Sequence, residues 1–320
     1  MNRDTVIYIA GHRGLAGSAI TDKFQAEGFR NLIVRTHDEL DLTRQADTEA
    51  FFRKTRPEVV IMAAARVGGI MANHTYPAEF IYTNLAIQTN IIHAAYTVGV
   101  RRLVFLGSSC IYPRECPQPM REDHLLTGPL EATNEPYAVA KIAGIKMCQS
   151  YNRQYGTRYI TLMPTNLYGL RDNFDLETSH ALPALIRKFH EARVAGRHQV
   201  EVWGTGRPRR EFLHADDLAA ACFFTLNLPD DAYLSLTAGG VTPLVNVGAG
   251  RDITIAELAR MVRDIVGFEG DIVFDASRPD GTFQKLLDVS RMSALGWQAS
   301  ISLKDGITRT YRWCLEAGVF

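Results

Sequence analysis

The chain has 320 residues, 46% of them hydrophobic, and its 35 basic side chains are balanced by 35 acidic ones. That content supports a sizeable core in one large unit or two interleaved domains, while zero net charge argues against a nucleic-acid partner, whose phosphates call for a basic surplus. No apolar run approaches the ~20 residues that span a bilayer, so no membrane partner is expected. The five cysteines (Cys110, Cys116, Cys148, Cys222 and Cys314) include no CxxC pair, which fits reduced thiols and a cytoplasmic home.

In chain order, residues 5–10 read as a buried strand, without a signal-peptide core before it. An apolar stripe through Leu15, Ala19, Ile20 and Phe24 predicts a helix. Residues 31–36, 58–63 and 102–106 read as further strands. A longer helical stripe runs through Ile81, Leu85, Ala86, Ile92 and Ala95. Residues 137–155 predict a long helix, and 159–163 another strand. Strand–helix alternation implies a parallel sheet with right-handed crossovers.

Beyond Gly169 the texture changes. Residues 174–179 read as a loop, 180–195 as a helix, 199–203 as a strand and 204–208 as a turn. Residues 210–214 lead into a helix over 215–226. Thr254 and Glu257 match a capping box, and Gly267 is placed to end the helix they open. Residues 229–243 read as a variable loop. The expected architecture is α/β: a Rossmann-type doubly wound parallel sheet with a smaller C-terminal α/β substrate domain. Residues 1–169, with a returning segment near 210–228, would bind the cofactor, and 170–320 would mainly bind substrate.

Gly11, Gly14 and Gly17 lie between the first strand and the first helix. Glycines there allow a tight turn, close backbone approach to a pyrophosphate, and close helix–strand contact. The end of the second strand carries Arg35 and His37 where an NAD enzyme places an acid, and Arg13 lies inside the turn. Two guanidiniums and an imidazole suit a 2′-phosphate, so the expected cofactor is NADP(H).

Tyr137 and Lys141 stand four residues apart and share one helix face. The ammonium is expected to favour the phenolate and lower its pKa, which suits proton transfer at a carbonyl oxygen. Ser108, after the strand ending at Leu106, would hold the same oxygen.

These motifs resemble the extended short-chain dehydrogenase/reductase family. The resemblance runs through Gly11–Gly17, Ala63-Ala64-Ala65-Arg66-Val67-Gly68-Gly69, Gly107-Ser108-Ser109-Cys110-Ile111-Tyr112-Pro113, Asn134-Glu135-Pro136-Tyr137, Met163-Pro164-Thr165-Asn166-Leu167-Tyr168-Gly169, Arg210-Glu211-Phe212-Leu213-His214 and Lys285-Leu286-Leu287-Asp288. The serine–cysteine string is similar to a branch acting on GDP-linked 4-keto-6-deoxyhexoses. It implies an NADPH-dependent 3,5-epimerase and 4-reductase, with Cys110 as base, His180 as proton donor, and Ser108, Tyr137 and Lys141 at the carbonyl. The cofactor set it implies also includes His12, Leu15, Ala16, Asp41, Leu42, Leu106, Gly107, Pro164, Thr165, Asn166, Leu167 and His180. Lys188, Trp203, Arg210 and Asp280 would contact the GDP-sugar. No metal is implied. The resemblance implies a homodimer packed through residues 77–98 and 137–155. Two other readings stand beside it: a UDP-sugar 4-epimerase with retained NAD, and a non-enzymatic cofactor sensor. Arg35, Cys110 and His180 weigh against the first, and the intact Tyr137–Lys141 pair weighs against the second.

Overall fold

The computed structural model describes residues 1–320 except Glu177, Gly239 and Pro279, together with the side chains of Ile70 and Met71. Glu177 and Gly239 belong to the two expected loops at 174–179 and 229–243 and lie outside the described residues. The chain begins with β1 (Ile7–Ala10), α1 (Leu15–Ala26), β2 (Leu32–Ile33), α2 (Gln45–Thr55) and β3 (Val59–Met62). The short α3 (Ile70–Thr75) and long α4 (Pro77–Thr97) precede β4 (Arg102–Leu106), α5 (Glu135–Tyr155), β5 (Tyr159–Pro164) and β6 (Asn166–Tyr168). Then come α6 (Ala181–Val194), β7 (Gln199–Trp203), β8 (Arg209–His214), α7 (Ala215–Leu226), α8 (Asp230–Thr237), β9 (Leu244–Val247) and β10 (Asp252–Thr254). The last elements are α9 (Ile255–Val266), β11 (Asp271–Asp275), β12 (Gln284–Lys285), α10 (Ser290–Ala294) and α11 (Leu303–Glu316).

Six parallel strands form the main sheet in the order β2-β1-β3-β4-β5-β9. The order reverses between β1 and β3, which opens a crevice beyond their C-terminal ends. One face of the sheet is covered by α1 and α7, in a core containing Ile20, Phe24, Leu218 and Cys222. The other face packs under α4 and α5 through Ile91, Ile92, Ile142 and Ile145. This two-sided burial explains why β1 and β3 are apolar at every position.

The remaining elements enclose a third core around Phe189, Phe212, Leu258 and Ile307. Here β8 pairs antiparallel with β10; β12 runs parallel beside Arg209 and Arg210, and β6 beside Phe212 to His214. The parallel pair β7–β11 completes this part. Thr254 caps α9 as its spacing predicts: its hydroxyl accepts the Glu257 N–H, and Glu257 accepts the Thr254 N–H. Gly267, at φ 75°, ends that helix in the left-handed region.

Three segments depart from the sequence reading. Strand β2 stops at Ile33, because it is an edge strand paired only through Leu32 and Ile33, and so Arg35 lies beyond its end. Helix α5 starts two residues early, at Glu135, with Pro136 in its first turn. Residues 230–237, expected as loop, form α8. Its first-turn acids suit the positive end of the helix dipole, and Asp230 pairs with Arg102 at 2.6 Å and Arg158 at 3.1 Å. Tyr233 and Leu236 bury its inner face.

Asn246 of β9 ties this framework to the segment after β4. It is fully buried. Its Oδ1 accepts the Tyr112 hydroxyl at 2.6 Å, its Nδ2 donates to the carbonyls of Met120 (2.9 Å) and Asp288 (3.1 Å), and its N–H donates to Glu122 (2.9 Å). Replacing Asn246 by Ala removes its three side-chain bonds and leaves the buried Tyr112 hydroxyl without its acceptor. The expected loss is about 2–4 kcal/mol, read from the denaturant midpoint; a change below about 0.5 kcal/mol would contradict this role.

Candidate active site

The glycine turn sits at the reversal point of the sheet. Gly11 takes φ +82°, and a side chain there would meet the Ala64 nitrogen at 2.6 Å. A Cβ on Gly17 would lie 2.0 Å from the Gly11 carbonyl, whereas one on Gly14 would meet only that oxygen, at 3.6 Å. The outer glycines are therefore fixed by the protein's own backbone, and the middle one leaves a face open to a ligand. Gly14 also caps α1, whose first N–H groups point into the crevice. His12 Nδ1 is buried without a hydrogen-bond partner. This cradle fits a dinucleotide pyrophosphate.

Arg13, Arg35 and His37 are exposed at the same end. Arg35 donates to the Val34 carbonyl at 2.7 Å and lies over the Phe51 ring, 5.6 Å from its centroid. Both arginines help hold the Glu39 carboxyl below its ordinary range, after the hydrogen bonds from Thr36. Asp41 accepts from the Thr43 N–H and hydroxyl, with His37 nearby. Leu42 is buried.

Tyr137 and Lys141 project from α5 toward the end of β4. Lys141 is 3% exposed, donates to the Leu106 carbonyl at 2.8 Å, and lies 5.7 Å from the centre of the Tyr137 ring. Burial pushes its pKa down to about 8. The Tyr137 phenol moves the other way. Burial and the Cys110 charge raise its pKa, opposed by a hydrogen bond from Ser108. This corrects the expected phenolate: desolvation of the hydroxyl outweighs the help an ammonium gives when it is hydrogen-bonded to a carbonyl. Cys110 is buried, and burial raises its thiol; Ser108, Lys285 and Lys141 oppose that rise in descending order. Ser108, Cys110, Tyr137 and Lys141 thus form one cluster with Ser108 at its centre. Gly107 ahead of them has no room for a side chain, since a Cβ would meet the Met163 methyl at 2.4 Å.

His180 caps α6 and is exposed by surface area, yet the surrounding protein desolvates it enough to lower its pKa. The loop leading to His180 is pinned by Gly69 N–H donating to the Thr178 carbonyl at 3.1 Å. Gly68 beside it approaches Phe80, whose ring meets the Tyr137 ring edge-on at 6.2 Å. His180 therefore enters from the loop that flanks the phenol. Pro164 ends β5 and Thr165, Asn166 and Leu167 follow it, with Thr165 and Asn166 both donating to the Glu211 carbonyl, at 3.2 and 2.8 Å.

The four expected substrate residues also come together. Lys188 Nζ lies 5.1 Å from the Trp203 ring centre, Arg278 lies 4.9 Å from it, and Trp203 is 52% exposed. Asp280 accepts the Thr205 N–H and hydroxyl, each at 2.7 Å, one residue beyond Gly204. Burial lowers the Arg210 pKa and nearby Asp280 opposes the shift. Arg209, by contrast, is occupied by Asp252 at 2.8 Å.

Sequence reading assigned no role to Lys285. It pairs with Arg210 in the β12–β8 register, and its pKa is lowered by burial while Cys110 opposes the shift. It lies in a two-residue strand, β12, that no periodicity could reveal. Glu211 and Asp172 were missed too. Burial pushes Asp172 up to about 7, and one of its oxygens is buried without a partner.

The model of the NAD dependent epimerase/dehydratase family matches residues 7–235. GDP-L-fucose synthase 1 of Arabidopsis thaliana is 57% identical over 315 residues, covering 98% of this chain and 94% of its own length. GDP-L-fucose synthase of Escherichia coli (strain K12) is 54% identical over 310 residues, covering 97% of this chain and 96% of its own. Among solved structures, a GDP-D-glycero-L-gluco-heptose synthase from Campylobacter jejuni, determined in the presence of NADPH, superposes with a TM-score of 0.91 at 41% identity, over 98% of this chain and 99% of that one. The chain belongs to the NAD dependent epimerase/dehydratase family, within the extended short-chain dehydrogenases/reductases.

Proposed function

We propose that this chain converts GDP-4-keto-6-deoxy-D-mannose to GDP-L-fucose, as an NADPH-dependent 3,5-epimerase and 4-reductase. The observation that carries the reading is the Ser108-centred cluster, in which a thiol and a phenol share one hydroxyl beside a buried lysine. The fucose synthases at 54–57% identity support the same substrate.

The ketone at C4 acidifies the hydrogens on C3 and C5. Cys110, as thiolate, removes each in turn, the thiol losing its proton to solvent and His180 regaining one between the two steps; Lys285 and Lys141 favour that anion against the cost of burial. His180 returns a proton to the opposite face of the ring. Ser108 and Tyr137 hold the C4 oxygen, and so stabilise each enolate and the final alkoxide. Tyr137, kept protonated by its buried setting, donates to that oxygen when it is reduced. Bound NADPH supplies the hydride. Lys141 has one of its three N–H groups on Leu106, leaving the others for the nicotinamide ribose.

Gly11, His12, Arg13, Gly14, Leu15, Ala16 and Gly17 would hold the pyrophosphate. Arg13, Arg35 and His37 would take the 2′-phosphate, with Asp41 and Leu42 beside the adenosine. Leu106, Gly107, Pro164, Thr165, Asn166, Leu167 and His180 would line the nicotinamide half. Lys188, Trp203, Arg210 and Asp280 would grip the GDP moiety: Arg210 suits the diphosphate, and Trp203 offers a ring face to the base. Residues 1–169, with the returning stretch near 210–228, would thus carry the cofactor, and 170–320 most of the substrate. The enzyme would act as a homodimer through α4 and α5, where Tyr82 (67% exposed), Val139 and Tyr155 leave apolar surface open. No described helix is long and apolar enough to cross a membrane, and we place the enzyme in the cytoplasm.

In deuterated solvent the product should carry deuterium at C3 and C5. Cys110→Ser should slow that exchange about 100-fold or more while some C4 reduction persists; undiminished exchange would remove Cys110 from the mechanism, and no exchange in the unaltered enzyme would leave a plain 4-reductase. Rate should also depend on the Lys141 charge. With a folded pKa of about 8, the ammonium is present below that pH and lost above it. The kcat/KM for reduction should therefore fall as pH rises through about 8, and a profile flat to pH 10 would contradict this. Arg35→Ala should cut the preference for NADPH over NADH about 10- to 100-fold, as kcat/KM ratios report, because a charge-assisted phosphate contact is worth roughly 1.5–3 kcal/mol.

A further inference from the structure

Glu211 lies on β8 between Arg210 and Phe212 and is fully buried. Its carboxylate faces amides: Oε1 accepts the Gly250 N–H at 2.7 Å, and Oε2 accepts the Leu287 N–H at 2.9 Å. These bonds, with another from Ala249, oppose the cost of burial. Gly248 presses so closely that a Cβ there would lie 2.3 Å from Oε1. The backbone carbonyl of Glu211 accepts from the Asn166 and Thr165 side chains.

We propose that Glu211 is a positioning residue that sets the substrate-binding side chains against the nicotinamide-side strand. This inference rests on the function proposed above. Three separate stretches converge on this residue. The Leu287 bond fixes the exit of β12, two residues beyond Lys285, which neighbours Cys110 electrostatically and pairs with Arg210. The Gly250 bond fixes the turn after β9, the last strand of the main sheet. The carbonyl fixes Thr165 and Asn166 at the end of β5. Arg210 precedes Glu211 in the strand, so its side chain leaves the opposite face toward Asp280. One interior carboxylate therefore joins the sheet that carries the cofactor to the strands that carry the sugar nucleotide. The carboxylate itself makes two of these contacts, to Gly250 and Leu287, and the backbone carbonyl makes the third.

The test compares steady-state kinetics of the full-length enzyme with Glu211→Gln and Gly248→Ala. Gln keeps the shape but turns an amide N–H₂ toward a backbone N–H. The Gly248 variant pushes the carboxylate aside without altering its charge, and it decides the matter if the Gln protein fails to fold. In both, KM for the GDP-4-keto sugar should rise about tenfold or more, since displacements near 1 Å are enough for such losses. The NADPH dissociation constant should stay within about threefold, because the phosphates lie on the distant glycine turn. A lowered melting temperature with KM within about twofold of the unaltered enzyme would overturn the inference alone. An unaltered enzyme that neither binds NADPH nor turns over the sugar would overturn the functional reading and this inference with it.

Discussion

The hydrogen bond from Lys141 Nζ to the Leu106 carbonyl holds the site together. It fastens the first turns of α5 to the end of β4, the strand from which Ser108 and Cys110 follow. The ammonium is almost wholly buried, beneath the rings of Phe105 and Tyr137. A charge-assisted hydrogen bond contributes about 1.5–3 kcal/mol, and cation–π contact about 2 kcal/mol when desolvated. Burying a cation costs several kcal/mol. Burial is what lowers the pKa to about 8, and the Cys110 charge opposes that drop. The lysine is thus poised: charged near neutrality, held in one place, and close enough to the thiol to favour its anion. Tyr137, one turn earlier on α5, takes its position from the same bond.

Much of this was legible in the chain. Buried parallel strands have no solvent face, so β1 and β3 stand out as unbroken apolar runs, and β4 and β5 nearly so, interrupted by Arg102 and Thr161. Gly11 and Gly17 are required by backbone collisions with Ala64 and Gly11 itself, and such needs survive in sequence as glycine. The capping box of Thr254 is likewise a local device. Tyr137 and Lys141 share a face because helical spacing demands it.

What escaped depends on contacts between distant segments. The two-residue strand holding Lys285 has no period of its own, and its place is set by pairing with β8. Glu211 reads as one more acid in a strand until Gly250 and Leu287 are seen to converge on it. Helix α8 reads as a loop from its flanking prolines and glycines, although Asp230 and Asp231 supply a good start signal. The direction of the Tyr137 shift is not legible in the sequence for a related reason. Spacing gives the distance between a phenol and an ammonium along a helix but not the desolvation around the hydroxyl, and here desolvation is the larger effect.

In the proposed reaction, thiol, phenol, hydroxyl and reduced nicotinamide would surround a single ketone. A crystal structure with NADP⁺ and GDP-L-fucose bound tests it most directly. The hexose C4 oxygen should lie between Ser108 Oγ and Tyr137 Oη at hydrogen-bond distance, with C4 about 3–3.5 Å from the nicotinamide carbon and Cys110 Sγ facing C3 and C5. A hexose bound with Cys110 and His180 both remote from C3 and C5 would contradict it.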